Sequence, residues 1–500
     1  MRKIRSLAFM LTILSAGIAA KAQPDFPVNG VADPREKAYA FIHANIVQDG
    51  NSQLQDATLL IRKGKIEGIG KQLSIPADAV IIDCIGKYIY PSFIDLYTDY
   101  GMPATERSQA RFSYGSLPQL TSNRKGAFGW NQAIRSDVQA ADLFSVDDAK
   151  AKPLRMLGFG TVLTHQHDGI ARGTGVLVTL ANERENTVML KEKASAHYSF
   201  DKGSSGQSYP SSLMGSIALL RQTYLDAGWY KQNPDAAGVN LTLKYWNDSQ
   251  GVPQIFEAND KWNDLRADRI GDEFGVQYIL KAGGNEYQRI SEMAATHASF
   301  ILPLNYPAAM ETDDPNELRF VGLDDLKHWE LAPGNPAAFE KAGIPFCLST
   351  ADLSNVADFA GNLKKAIRYG LSEAKALDAL TAAPAKMLGV YDKVGSLEKG
   401  KLANFLIVSG PLFHDQSQII ENWIQGEKYA IKEEAWHPIE GLYTFRINEA
   451  DAGRTMQLEV KKGGTALFIA KDTMKGKVSQ TGTLLKLNYA EAKGKDIIMS

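Results

Sequence analysis

His165-Gln166-His167-Asp168 sets two imidazoles two residues apart, directly after the strand-like run Gly160-Thr161-Val162-Leu163-Thr164. Side chains spaced by two along a strand leave the same face, so His165 and His167 can point together past the strand end. Joined by the carboxylates of Asp99 and Glu257, they would offer two nitrogen and two oxygen donors, a set suited to zinc or manganese. A cation so held lowers the pKa of a bound water and polarises a carbonyl, which is the chemistry of amide hydrolysis. With eight histidines in 500 residues, the pair also fits two polar loop residues that hydrogen-bond locally, with no metal at all. The glycine-rich stretch Gly169-Ile170-Ala171-Arg172-Gly173-Thr174-Gly175 reads as a flexible loop beside that pair, from which Arg172 could pair an anion, or as a plain βα connection. Gly283-Gly284 reads as a tight turn, because no further glycine pattern of a phosphate cradle follows it.

The elements that must position these groups follow from patterning. Residues 38 to 90 alternate short β-like runs with turns, as in Ala57-Thr58-Leu59-Leu60-Ile61, the turn Arg62-Lys63-Gly64-Lys65, and Ile66-Glu67-Gly68-Ile69-Gly70, which predicts antiparallel strands. From about 91 to 385, apolar strand-like runs alternate with helical spacing, which predicts βα units on a parallel sheet. Besides Gly160–Thr164, the clear runs are Gln254–Glu257, Val276–Leu280 and Pro345–Leu348. The clearest helix is Ser216–Tyr230, with Ile217, Leu220, Tyr224 and Leu225 on one face. A closed parallel barrel takes about 250 residues, so this span leaves room for insertions, and the polar stretch 101–150 reads as one.

Two stretches carry a family resemblance. Pro91-Ser92-Phe93-Ile94-Asp95-Leu96-Tyr97-Thr98-Asp99 resembles the first barrel strand of the amidohydrolase superfamily, which reads P-G-F-I-D-x-H-x-H. The two family histidines bind a catalytic metal, and here they are Tyr97 and Asp99. Ala383-Pro384-Ala385-Lys386-Met387-Leu388-Gly389 and Val394-Gly395-Ser396-Leu397-Glu398-Lys399-Gly400-Lys401-Leu402-Ala403-Asn404-Phe405-Leu406-Ile407-Val408 are similar to the family's N-P-A-x-x-L-G and G-S-L-x-x-G-x-x-A-D-L-V-V. Asn404 stands where the family has Asp. The resemblance spans about 38 to 425.

It implies an α/β fold: a TIM-like (β/α)8 barrel over 91–385, with a small β-sandwich assembled from 23–90 and 386–430. It also implies hydrolysis of carbon–nitrogen bonds in small linear or cyclic amides. The family's ligand positions are changed throughout. Glu257, in Phe256-Glu257-Ala258-Asn259, replaces a histidine, and Lys281-Ala282-Gly283-Gly284-Asn285 has none. In Leu348-Ser349-Thr350-Ala351-Asp352, Ala351 holds the place of the water-activating aspartate. Asp352 comes one residue late, which on a strand would turn it away. The candidate catalytic residues are therefore Asp99, Glu257 and Asp352. Tyr97 and Arg172 are candidates for substrate binding, and His165, His167, Asp99 and Glu257 for one divalent metal. The alternative is an amidohydrolase-like protein without turnover, which binds a ligand or supports a partner.

The remaining features bound its partners and location. Apolar residues make up 44% and charged residues 22%, with a net charge of −2 and no basic block, which points away from nucleic acid. Arg2, Lys3 and Arg5 precede the apolar run Leu7–Ala20, and Ala20-Lys21-Ala22 supplies small residues for cleavage, so residues 1–22 read as a secretory signal peptide. Export to the periplasm or the extracellular space follows as an expectation. Removing that segment leaves 51 basic against 57 acidic residues, a charge of −6. The apolar run is short for a membrane span, and no other stretch approaches that length. Cys84 and Cys347 sit in apolar strand-like runs and read as packing residues rather than nucleophiles. Residues 431–500 read as short antiparallel strands, too few to close comfortably alone. A homo-oligomer or a partner hydrolase domain is the corresponding expectation.

Overall fold

The computed structural model describes residues 38–432, apart from 51, 106–117, 234–237 and several positions between 311 and 318, together with strands within 441–499. The signal-peptide reading at 1–22 falls outside the described residues.

The flanking β unit draws on both ends of the barrel segment. Its strands are β1 (Ala38–Asp49), β2 (Ser52–Arg62), β3 (Lys65–Gly70), β4 (Ala79–Asp83) and β5 (Tyr88–Pro91), then β14 (Phe405–Val408), β15 (Ile419–Ile424) and β16 (Glu427–Ala430). They form one continuously hydrogen-bonded eight-stranded sheet, in the order β16-β15-β14-β5-β1-β2-β3 with β4 alongside β1. The returning chain joins by an antiparallel ladder that pairs Phe405 with Pro91 and Val408 with Tyr88. Its core holds Phe41, Phe405 and Trp423, with Phe41 edge-on to both partners at centroid separations of 5.0 Å. Cys84 belongs to this core and Cys347 to that of the second sheet; both are buried, and neither is in a disulfide.

The second eight-stranded sheet carries the site: β6 (Phe93–Thr98), β7 (Phe159–Thr164), β8 (Ala171–Thr179), β9 (Met189–Ser199), β10 (Gln254–Glu257), β11 (Tyr278–Lys281), β12 (Ser299–Pro303) and β13 (Phe346–Ser349), neighbours in chain order. Every residue of β6, β7 and β13 is buried, as expected for strands covered on both faces. Two features depart from an ideal (β/α)8 barrel. Strand β8 runs antiparallel to both neighbours, so Gly169–Gly175 is largely strand and not a flexible loop. Gly173 makes this possible: at φ +81° a side chain there would run into the carbonyl oxygen of Val138. The ring also has no backbone ladder between β6 and β13 among the described residues.

A side chain bridges that seam instead. The buried Asp95 carboxylate, on β6, accepts from the Ser349 hydroxyl (2.6 Å), the Thr350 amide (2.8 Å) and the Thr350 hydroxyl (2.6 Å), and from the amide of Tyr97 (3.0 Å). Ser349 ends β13, so one carboxylate ties the first strand of the sheet to the last. Helices pack outside. In the helix Leu213–Gln232, Leu219, Leu220, Thr223 and Ala227 face inward, whereas Leu225 is exposed, one position off the face that its spacing suggests. A third sheet of six antiparallel strands in simple meander order, β17 (Gly441–Ile447) to β22 (Asp496–Met499), closes the described chain.

Replacing Asp95 by alanine leaves four donors, the Ser349 and Thr350 hydroxyls and the Thr350 and Tyr97 amides, without that acceptor. The expected loss is about 2–4 kcal/mol of unfolding free energy, read from urea midpoints, with Asp95→Asn losing less. Equal stability of Asp95→Ala and wild type would show that the seam does not depend on this carboxylate.

Candidate functional site

The C-terminal ends of β6, β7 and β10 and the turn after β13 meet around a cavity of about 560 Å³ lined by Tyr97, Asp99, His167, Glu257, Ala351 and Asp352, among others. A second cavity of about 510 Å³ shares His167 and Glu257 and adds Arg172, Asp201 and Asn259. The candidates Tyr97, Asp99, His167, Arg172, Glu257 and Asp352 therefore all reach one neighbourhood.

Arg172 is its most connected member. It lies buried on β8, and its guanidinium donates to the Tyr97 hydroxyl (2.7 Å), the Glu257 carboxylate (2.5 Å) and the Gly169 carbonyl (3.1 Å). Burial pushes the Glu257 carboxyl up, but the charges of Arg172, Lys281 and protonated His167 and the guanidinium hydrogen bond outweigh it and hold the group at about 2. Burial raises the Tyr97 phenol, which is neutral. Its oxygen accepts from Arg172, so its own proton is available to a ligand.

Lys281 and Asp352 form the second pair. Lys281 ends β11 and is fully buried; its ammonium contacts Asp352 and donates to the Asn259 side-chain oxygen (2.5 Å). It also lies 5.5 Å from the centroid of the Tyr97 ring. Asp352 had been expected to turn away, being one residue late on a strand. Strand β13 stops at Ser349, and Asp352 adopts a left-handed backbone (φ 60°) that returns its carboxylate to the site. Such a conformation is unfavourable for a non-glycine residue and marks a position held by its surroundings.

The two histidines keep their rings in contact, 4.2 Å between centroids, but take different places. His167 lines the cavities, its Nε2 3.2 Å from the Thr98 carbonyl oxygen. His165 is completely buried beneath Tyr97, stacked on His197 of β9 at 3.5 Å between centroids and 11° between planes. His197 sits 2.7 Å from the Ser195 hydroxyl by its Nε2. Its Nδ1 and both His165 nitrogens have no hydrogen-bond partner among the described residues. Gly175 makes room for this stack, since a Cβ there would fall 2.6 Å from His197 Nε2. The segment carrying the pair is pinned by Asp168, which meets Arg135 and accepts from the Ser204 amide (2.6 Å) and hydroxyl (2.7 Å).

This arrangement does not fit the four-ligand set of His165, His167, Asp99 and Glu257. His165 and His167 lie 4.2 Å apart between ring centroids at 44° between planes, whereas His165 is stacked face to face on His197, a pair whose in-plane lone pairs do not converge on one ion. Glu257 is held by Arg172. Among the described residues no group of three or more His, Cys, Asp or Glu side chains is placed to hold a metal ion. Sequence reasoning missed His197 and Lys281. The alternation Ser195-Ala196-His197 puts Ser195 and His197 on one strand face, and a lysine closing an apolar strand run was the available signal for Lys281. Gly283 and Gly284 do form a turn, with φ +103° at Gly284 and both amides donating to Glu286.

Comparison with known proteins places this geometry. A profile described as the amidohydrolase family matches residues 335–431. An imidazolonepropionase from Maricaulis maris is 23% identical over 388 residues, spanning 72% of this chain and 88% of that protein. These matches support the amidohydrolase superfamily. A dihydroorotase from Caldanaerobacter subterraneus is 38% identical over 68 residues, a match spanning 14% of this chain and only 16% of that enzyme. An amidohydrolase structure from Thermotoga maritima, 22% identical, covers 78% of this chain and 99% of its own with a TM-score of 0.62, which shows the shared fold. The same matches support a hydrolase of that family, and the mixed α/β sheet with its β-rich flanking unit agrees with them. No described helix is long and apolar enough to cross a membrane.

Acid should destabilise the chain through its imidazoles. Burial, with the nearby Arg172 charge, lowers His167 from its ordinary 6.5 to about 4, and burial lowers His165 and His197 well below 6.5. Between pH 6.5 and 4 the unfolded chain binds protons that the folded chain refuses. The melting temperature should therefore hold above pH 6.5 and fall as pH descends through about 4. A flat profile over that interval would contradict the buried, neutral cluster.

Proposed function

We propose that this chain is an exported hydrolase of carbon–nitrogen bonds in small linear or cyclic amides, acting at the mouth of the barrel sheet. The observation that carries the reading is the Arg172–Tyr97 contact: it leaves a neutral phenol proton facing a cavity that Asp99 also lines. Asp99 makes no ion pair among the described residues, in contrast to Glu257 and Asp352. Water attacks the amide carbonyl carbon as the Asp99 carboxylate takes its proton. The Tyr97 hydroxyl, polarised by Arg172, donates to the developing oxyanion. The tetrahedral centre then collapses, the C–N bond breaks, and the proton on Asp99 passes to the leaving nitrogen. Glu257 and Asp352 serve to hold Arg172 and Lys281, so their role is positioning. His167, neutral above about pH 4, offers a polar wall to the ligand. Export to the periplasm or the extracellular space rests on the charged and apolar segment at residues 2–22.

One observation favours a second reading, a ligand-binding protein without turnover. Glu257 and Asp352 are both already neutralised by internal cations, which leaves Asp99 as the carboxylate without an ion pair among the described residues lining that cavity.

Purified protein should hydrolyse members of a panel of linear and cyclic amides above the uncatalysed rate. Tyr97→Phe should lower kcat about 100-fold or more while KM changes a few-fold, as for loss of one oxyanion donor, and Asp99→Asn should abolish turnover. Binding of panel members by calorimetry with no hydrolysis of any of them would remove the hydrolase reading in favour of the second.

A further inference from the structure

Both internal cations of the barrel mouth touch the same residue. Tyr97 stands at the position of the first family-type histidine, where a metal would be grasped from β6. Its hydroxyl receives the Arg172 guanidinium at 2.7 Å, and its ring centroid lies 5.5 Å from the Lys281 ammonium. Neither cation is a solvent-facing side chain that could swing aside, since Arg172 is 4% exposed and Lys281 0%. Each has its own carboxylate, Glu257 for Arg172 and Asp352 for Lys281. Those carboxylates come from the ends of β10 and from the turn after β13, the same rim of the sheet that supplies ligands in a metal-dependent barrel. The donors are thus present on the rim, but they are engaged by nitrogen-borne charge.

We propose that the Arg172 guanidinium and the Lys281 ammonium fill the place of a divalent metal in this barrel, so that the wild-type chain takes no divalent ion there. Two fixed positive charges repel a third cation in a poorly hydrated site, and releasing Glu257 or Asp352 to ligate it would strand a buried positive charge. The backbone of Asp352 fits this assignment. Ala351 occupies the in-register position for a ligand, and the left-handed turn one residue later brings a carboxylate to the ammonium. The inference rests on the barrel-mouth site described above and not on its turnover.

The test uses the whole purified chain, dialysed against zinc or manganese and then against metal-free buffer, with elemental analysis and calorimetric titration of each ion. The wild type should retain below about 0.1 ion per chain, and its melting temperature should be unchanged by a chelator. An Arg172→Ala/Lys281→Ala variant, freed of both cations, should gain about one ion per chain, and adding Glu257→Gln should remove most of that gain. Lys281→Gln, a milder change, should show the same trend if the double variant does not fold. Arg172→Lys, which keeps a cation, should bind no more metal than the wild type. Stoichiometric metal in the wild type, lost on Glu257→Gln, would overturn the proposal. So would folded cation-deleted variants that bind none. Amide turnover is scored separately: a metal-free wild type without turnover sinks the hydrolase reading alone, and a metal-loaded wild type sinks this one alone.

Discussion

The carboxylate of Asp95 decides whether the barrel mouth exists. Tyr97 and Asp99 hang from the first strand of the sheet, and Asp352 from the turn after the last. Among the described residues no backbone ladder joins those strands; beside the apolar packing of Ile94 and Leu96 with Cys347, one buried carboxylate with four donors around it ties them together. Burial raises the pKa of that carboxyl and the four hydrogen bonds lower it. A seam built from one acidic side chain is directional in a way that apolar packing is not. It specifies which residue of β13 lies opposite which residue of β6, and hence which side chains meet above it.

Above the seam the dominant constraint is the cost of burying charge. Arg172 and Lys281 lie in an interior that would reject either alone. Each is accepted because a carboxylate, a hydroxyl or an amide oxygen satisfies it, and those partners come from different strands. The network therefore links β6, β8, β10 and β11 and the turn after β13 through charge-assisted contacts. Below it, the histidine stack answers the same constraint in the opposite way: its rings stay neutral, so their nitrogens tolerate confinement.

Much of the architecture was legible in residue order. The runs Gly160–Thr164, Gln254–Glu257, Val276–Leu280 and Pro345–Leu348 are strands in the structure, within a residue or two. The motif Pro91–Asp99 and the glycine-rich return after Val394 point to the fold that the comparisons support. The site was legible as a list of positions but not as a set of contacts. Asp352 was misjudged because strand parity was carried past Ser349, where the strand ends and the backbone changes hand. The glycines flanking Arg172 read as a flexible loop or a plain βα connection because they look permissive, whereas they allow a strand to pass close to Val138 and to His197. His165 and His167 look equivalent at a spacing of two, but the strand has ended before either of them, so one faces the cavity and the other lies under a ring. Lys281 went unread because a buried lysine is intelligible only once its carboxylate, 71 residues away, is in place.

Gly175 and His197 claim the same few cubic ångströms. A methyl group at 175 would stand where the imidazole edge now lies, and a smaller residue at 197 would leave a void over an unsubstituted backbone. The histidine stack is thus partly encoded by an atom that is missing from another strand. Across the lineage of this protein the two positions should behave as one inherited character, changing together or not at all. In a set of related sequences such linked change would trace the stack where no single position announces it.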